Sequence, residues 1–126
     1  MVATTIYSSN QTIAYAATEE QNKSVIYYFH GNFRCATCTK IETLARNVFD
    51  QNFKDNLEFK VVNVEELENR HFIQDYQLVS KALVLVKNKD GKQVDYKNLQ
   101  AMWNYIRDEQ SFNKWLTEEI SNFLLK

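Results

Sequence analysis

Residues 25 to 53 restrict this chain more tightly than any other stretch. Val25-Ile26-Tyr27-Tyr28-Phe29 is a continuous apolar run. A run of this type and length reads as a central strand covered on both faces. His30-Gly31-Asn32 breaks it. From Cys38 onward the apolar residues are Ile41, Leu44, Ala45, Val48 and Phe49, spaced as one stripe of a helix. Lys40, Glu42, Thr43, Arg46 and Asn47 take the opposite face, and Phe53 continues the stripe. Between strand and helix stands Phe33-Arg34-Cys35-Ala36-Thr37-Cys38, which holds both cysteines of the protein.

The rest of the chain extends the same alternation. Leu57-Glu58-Phe59-Lys60-Val61 alternates apolar and polar, with Val62 and Val64 continuing it, and predicts a strand. Glu65 to Tyr76 predicts a helix with Leu67, Phe72, Ile73 and Tyr76 as core contacts. Glu65, Glu66 and Glu68 lie in its first turn, where carboxylates suit the helix dipole. Leu83-Val84-Leu85-Val86 is a further strand, and Asn88-Lys89-Asp90-Gly91 is a turn whose Asp-Gly tolerates positive φ. Lys92 to Tyr96 returns as its hairpin partner. Leu99, Met102, Trp103 and Ile106 form a short helical stripe, and Phe112, Trp115, Leu116, Ile120, Phe123 and Leu124 a longer one, with Ser111 as its expected N-cap. Residues 1 to 23 predict an N-terminal extension: Val2 to Tyr7 and Thr12 to Ala16 form a hairpin or an edge strand. The order is β, α, β, α, β, β, α. A βαβ start implies parallel strands joined by a right-handed crossover, and the hairpin adds antiparallel ones. The fold class is α/β, a central mixed sheet of about four strands flanked by helices.

Composition narrows the function. The chain has 126 residues, 44% of them hydrophobic, which suffices for one core. With a net charge of −1 it lacks the basic footprint of a nucleic-acid or anionic-membrane binder. No apolar stretch approaches the ~18 residues of a membrane span. Met1-Val2-Ala3-Thr4-Thr5 has neither a basic start nor an apolar core, so no signal peptide is visible. A lone pair of cysteines occurs in reducing and oxidising compartments alike, which leaves a cytoplasmic location open.

Cysteines at i and i+3 where a helix starts share one side of its first turn. There, unpaired N–H groups and the helix dipole favour a thiolate. Cys35 is the expected attacking thiolate, with the adjacent Arg34 lowering its pKa further, and Cys38 is the expected resolving thiol. The chemistry is thiol–disulfide exchange with a protein or small-molecule disulfide or dithiol. A purely structural disulfide is unattractive, since closing so short a loop removes almost no chain entropy. A closed zinc site needs about four ligands, and His30 and His71 are the only histidines. A two-coordinate soft metal or an arsenical held by Cys35 and Cys38 is the alternative. His30, at the end of the strand, has two readings: proton transfer with Cys38, or a ring satisfied by backbone or solvent. His71 is read as an ordinary helix residue.

Strand, Cys-x-x-Cys at a helix start, βα, hairpin and helix over residues 24 to 126 resembles the thioredoxin-like fold. The stretch Tyr27-Tyr28-Phe29-His30-Gly31-Asn32-Phe33-Arg34-Cys35-Ala36-Thr37-Cys38 also resembles a narrower group, the small bacterial thioredoxin-like proteins described as nitrophenyl-compound nitroreductase subunits of the ArsF type. That resemblance implies a link to arsenic or nitroaromatic handling. It also implies a bacterial extracytoplasmic or periplasmic location with an export signal already removed. The chain shows no flavin site, and no cofactor is expected. Counting back from Cys35, the slot of thioredoxin's buried carboxylate falls at Phe29. The slot of its cis-proline falls at Lys81, preceded by Ser80. A trans peptide is expected there. Lys81 then either places its charge near Cys35 or points to solvent.

Overall fold

The computed structural model describes residues 23–126; the hairpin or edge strand expected in residues 1 to 22 lies outside the described residues. The elements are β1 (Ser24–His30), α1 (Ala36–Asn52), β2 (Leu57–Asn63), a 3-10 turn (Leu67–Asn69), α2 (His71–Asp75), β3 (Ala82–Lys89), β4 (Lys92–Asn98), α3 (Met102–Tyr105) and α4 (Glu109–Leu125). The four strands form one sheet in the order β2-β1-β3-β4. β1 runs parallel to β2 and antiparallel to β3, which in turn pairs antiparallel with β4.

The sheet is covered on both sides, as the apolar run of β1 requires. Ile26 and Tyr28 face one core with Leu83 and Leu85, where α1 supplies Ile41, Leu44, Ala45 and Val48, and α4 supplies Phe112, Leu116 and Ile120. Phe29 faces the other with Ala82, Val84, Val86, Tyr76 and Leu78. Side chains alternate along a strand, so Tyr28 and Phe29 point to opposite faces. The β3–β4 hairpin closes through Asp90 (φ 55°) and Gly91 (φ 78°). Positive φ at both central residues is the two-residue turn whose twist matches the flanking strands.

Several sequence expectations shift. The helix expected over Glu65 to Tyr76 is replaced by the 3-10 turn and a five-residue helix. Leu67 is 78% exposed and Ile73 42%, while Phe72 and Tyr76 do pack, against Phe29. Side-chain bonds compete for this backbone: Asn63 Oδ1 accepts from Glu65 N at 3.0 Å and Asn69 Nδ2 donates to Asn63 O at 3.1 Å. Trp103 lies outside the core, since α3 is a four-residue helix that buries only Met102 within its length. The cap of α4 is Asp108 rather than Ser111. Ser111 lies within the first turn and its hydroxyl donates to Asp108 Oδ2 at 2.6 Å. α1 starts at Ala36, two residues before Cys38, and β4 runs on to Asn98.

The end of α2 sets up the segment that follows. Leu78 N donates to Ile73 O at 2.9 Å across Gln77, whose φ is 56°. This is the six-to-one closure of a Schellman motif, with glutamine where glycine is preferred. A left-handed non-glycine residue costs about 1–2 kcal/mol, partly offset by the extra chain entropy glycine would lose. Gln77→Gly is therefore expected to stabilise the protein by about 0.5–1 kcal/mol, read as a higher urea midpoint at unchanged m-value.

Candidate active site

Cys35 is the N-cap of α1. Its backbone is extended (φ −90°, ψ 172°) and its Sγ accepts the N–H of Cys38 at 3.3 Å. Sulfur thus fills the place that a serine or aspartate oxygen usually takes. The Cys35 carbonyl accepts Thr39 N at 3.1 Å and the Thr39 hydroxyl at 3.2 Å. The first turn of α1 contains no acidic residue, so no neighbouring carboxylate there offsets the positive end of the helix dipole. The hydrogen bonds from the Cys38 thiol and N–H hold the Cys35 thiol below the usual thiol range against desolvation, with the Lys81 ammonium and the Thr37 N–H adding lesser effects in the same direction. Cys35 is partly exposed and Cys38 is 1% exposed. One sulfur is open to a partner; the other sits behind it in the same helical turn.

The layer beneath the sulfurs is built from the end of β1 and the first turns of α1. Tyr28 is fully buried and its hydroxyl donates to the Cys38 carbonyl at 3.0 Å. Burial pushes that hydroxyl well above the ordinary tyrosine range, and Cys38 adds to the effect, so it stays a neutral donor. Strand alternation already places Tyr28 on the α1 side, and a buried tyrosine needs a partner for its O–H; that signal was available in the sequence. Phe29 occupies the opposite face, with its ring 5.0 Å from that of Phe72, and brings no acid–base group to the cysteines.

His30 lies on the Tyr28 side, with the rings 6.0 Å apart. Its Nδ1 is 2.7 Å from Gly31 O and its Nε2 is 3.4 Å from Arg34 Nη1. A carbonyl only accepts and a guanidinium only donates, so both contacts fit the tautomer protonated on Nδ1. The ring is satisfied by its surroundings. The Arg34 guanidinium is committed to Glu42, one turn into α1, and to His30. The depression of the Cys35 pKa comes first from the Cys38 thiol and backbone N–H, and to a lesser degree from Lys81 and the Thr37 N–H. His71 pairs with Asp75 at 2.7 Å on the surface of α2.

A second set of bonds ties the loop between β1 and α1 to the end of β2. Asn32 N donates to Glu65 Oε2 at 2.7 Å, and Asn63 Nδ2 donates to Asn32 Oδ1 at 2.8 Å. Gly31 leaves room for this contact: a Cβ at this position would stand 2.5 Å from Glu65 Oε2, so that carboxylate would have to shift. Beyond this loop lies a groove of about 350 Å³ whose lining includes His30, Phe33, Glu65, Val79, Ser80 and Lys81. Phe33 is 74% and Val79 89% exposed, so the apolar rim stands open to solvent. The Ser80–Lys81 peptide is trans, as is every other peptide bond among the described residues. Ser80 is exposed and its hydroxyl is 3.4 Å from Lys81 O. Among the described residues no group of three or more His, Cys, Asp or Glu side chains converges as a metal site; a soft ion would have the two sulfurs as its donors.

Solved structures share this architecture. The thioredoxin of Fasciola hepatica superposes with a TM-score of 0.53 at 19% identity, over 87% of this chain and 89% of that one. A poplar thioredoxin h does so with a TM-score of 0.51 at 18% identity, over 92% and 89%. Trxlp from Edwardsiella tarda gives a TM-score of 0.51 at 15% identity, over 83% and 92%. The chain has a thioredoxin-like fold. At these identities the likeness carries the fold alone. No protein-family model matches the sequence, and no curated protein matches it.

The lowered Cys35 pKa couples to stability. The native state holds fewer protons than the unfolded state between the depressed pKa and the usual thiol range, so stability rises with pH across that window. It is lost as pH falls through the folded pKa. Urea unfolding of the reduced protein across this window is expected to show the rise. In Cys35→Ala the same series is expected to be flat.

Proposed function

We propose that this protein is a thiol–disulfide oxidoreductase in which Cys35 attacks and Cys38 resolves. The observation that carries the reading is the Cys35 sulfur at the cap of α1, partly exposed and hydrogen-bonded by the Cys38 N–H at 3.3 Å. The Cys38 thiol and the N–H groups of the first turn stabilise negative charge on that sulfur, which favours it as the nucleophile. In the reducing direction, the Cys35 thiolate attacks one sulfur of a disulfide; a new S–S bond forms as the old one breaks, and the departing thiolate takes the electron pair. The Cys38 thiol passes its proton to that thiolate and attacks Cys35 Sγ. The second thiolate leaves and an intramolecular disulfide remains. Two electrons have moved from the protein to the substrate, and the oxidising direction reverses each step.

Tyr28 supports this reading by fixing the Cys38 backbone from below through its 3.0 Å hydrogen bond. Placement with the exported bacterial ArsF-type proteins rests on the stretch Tyr27 to Cys38 and is part of the proposal, as are an extracytoplasmic location and a domain spanning residues 24 to 126.

Cys35→Ser is expected to abolish exchange with insulin and with glutathione disulfide. Cys38→Ser is expected to accumulate a mixed disulfide on Cys35, visible by intact-mass spectrometry. The proposal fails if the wild type exchanges with neither substrate, or if Cys35→Ser retains the activity.

A further inference from the structure

The bond from Cys38 N to Cys35 Sγ, 3.3 Å long, is strong only while Cys35 is a thiolate. Once Cys35 has attacked a disulfide, its sulfur is divalent and uncharged, and an uncharged sulfur is a weak acceptor. This tie between the two cysteines therefore fades at the stage when Cys38 has to strike Cys35. The bonds from Thr39 to the Cys35 carbonyl do not depend on that charge, but they close the helical turn on itself. The bond from the Tyr28 hydroxyl to the Cys38 carbonyl, 3.0 Å long and buried, ties Cys38 to the sheet. Its donor is rigidly held: Tyr28 is fully buried and its backbone is paired on both sides, with Val61 of β2 and Leu83 of β3. A carbonyl inside a helix already accepts the N–H four residues on, and its second lone pair is open to the phenol. The phenol thus adds a fixed point to Cys38 rather than replacing a missing backbone bond.

We infer that Tyr28 is a positioning residue for the resolving step and not for the attacking one. The inference rests on the exchange activity proposed above and assigns part of it to a further side chain. In the attacking step the partly exposed Cys35 sulfur meets the incoming disulfide, and Cys38 serves only as a donor. In the resolving step the Cys38 sulfur, its proton passed to the first departing thiolate, attacks Cys35 Sγ. The Cys35–Cys38 bond forms, the bond from Cys35 to the substrate sulfur breaks, and that sulfur leaves with the electron pair. The attacking sulfur has to arrive in line with the breaking bond, and a small misplacement is costly in rate. Cys38 is 1% exposed, so its approach is set from within the protein, through the backbone that Tyr28 pins.

The test mixes the reduced full chain rapidly with increasing glutathione disulfide, quenches in acid, and follows mixed and intramolecular disulfides by intact mass. The initial slope of rate against concentration reports the attack, and the plateau reports the resolution. Tyr28→Phe is expected to keep the slope and to lower the plateau about tenfold, with mixed disulfide accumulating. In a Cys38→Ser background the same substitution is expected to leave mixed-disulfide formation unchanged. Placing 4-aminophenylalanine at position 28 sets an N–H donor where the O–H stood and is expected to restore the plateau. Tyr76→Phe is the control for a lost tyrosine hydroxyl: Tyr76 is buried in the other core and its hydroxyl bonds Gln93 at 2.6 Å. It is expected to change neither slope nor plateau. The inference is overturned, with the activity left standing, by an unchanged plateau in Tyr28→Phe, by a slope that falls with the plateau, by an equal loss in Tyr76→Phe, or by no recovery with 4-aminophenylalanine. A wild type that forms neither mixed nor intramolecular disulfide removes the activity and the inference together.

Discussion

A sulfur atom sits where a helix ordinarily takes an oxygen cap. The 3.3 Å bond from Cys38 N to Cys35 Sγ fixes the start of α1, turns Cys35 outward and Cys38 inward, and places negative charge where the helix can stabilise it. The rest of the site depends on that one contact. If the helix began a residue later, Cys35 would lose its donor and the two sulfurs would no longer share a turn. The absence of carboxylates from the first turn matters for the same reason: an acidic side chain there would occupy the dipole and repel the thiolate.

Holding the cap in place is the work of β1. Its run, buried except at the half-buried Tyr27, anchors the strand between β2 and β3, and its last residues present Tyr28 to the Cys38 carbonyl and His30 to Arg34. The loop that follows is short and would otherwise be free. It is fixed to the end of β2 through Asn32, Asn63 and Glu65, where the missing side chain of Gly31 leaves room for the Glu65 carboxylate. The site pairs a half-exposed thiol with a buried one but has no carboxylate at position 29 and no proline at position 81. A neutral phenol donates to the Cys38 carbonyl instead, and the Lys81 ammonium favours the Cys35 thiolate.

Much of this was legible in the sequence, because its strongest signals are periodic and local. The run at Val25 to Phe29, the stripe of α1 and the Asp90-Gly91 turn each state their structure in a few neighbouring residues. What could not be read was set by partners distant in the chain. Glu65 looks like a helix-start residue, but its carboxylate is taken by Asn32 and its N–H by the Asn63 side chain, and the expected helix shortens to five residues. Arg34 looks like a neighbour that acidifies Cys35, yet Glu42 holds it. Lys81 could be counted onto the proline slot; that it lines a groove with Phe33, forty-eight positions away by residue number, is a fact of the fold.

The account stands on Cys35 and Cys38 acting as one dithiol. Equilibrating the protein in glutathione buffers of graded potential, quenching in acid and counting thiols by mass tests this directly. The predicted result is a single two-electron transition to an intramolecular Cys35–Cys38 disulfide, with a midpoint inside the roughly −270 to −120 mV range of dithiol sites. Two thiols that oxidise independently, or that stay reduced across the whole range, would contradict it.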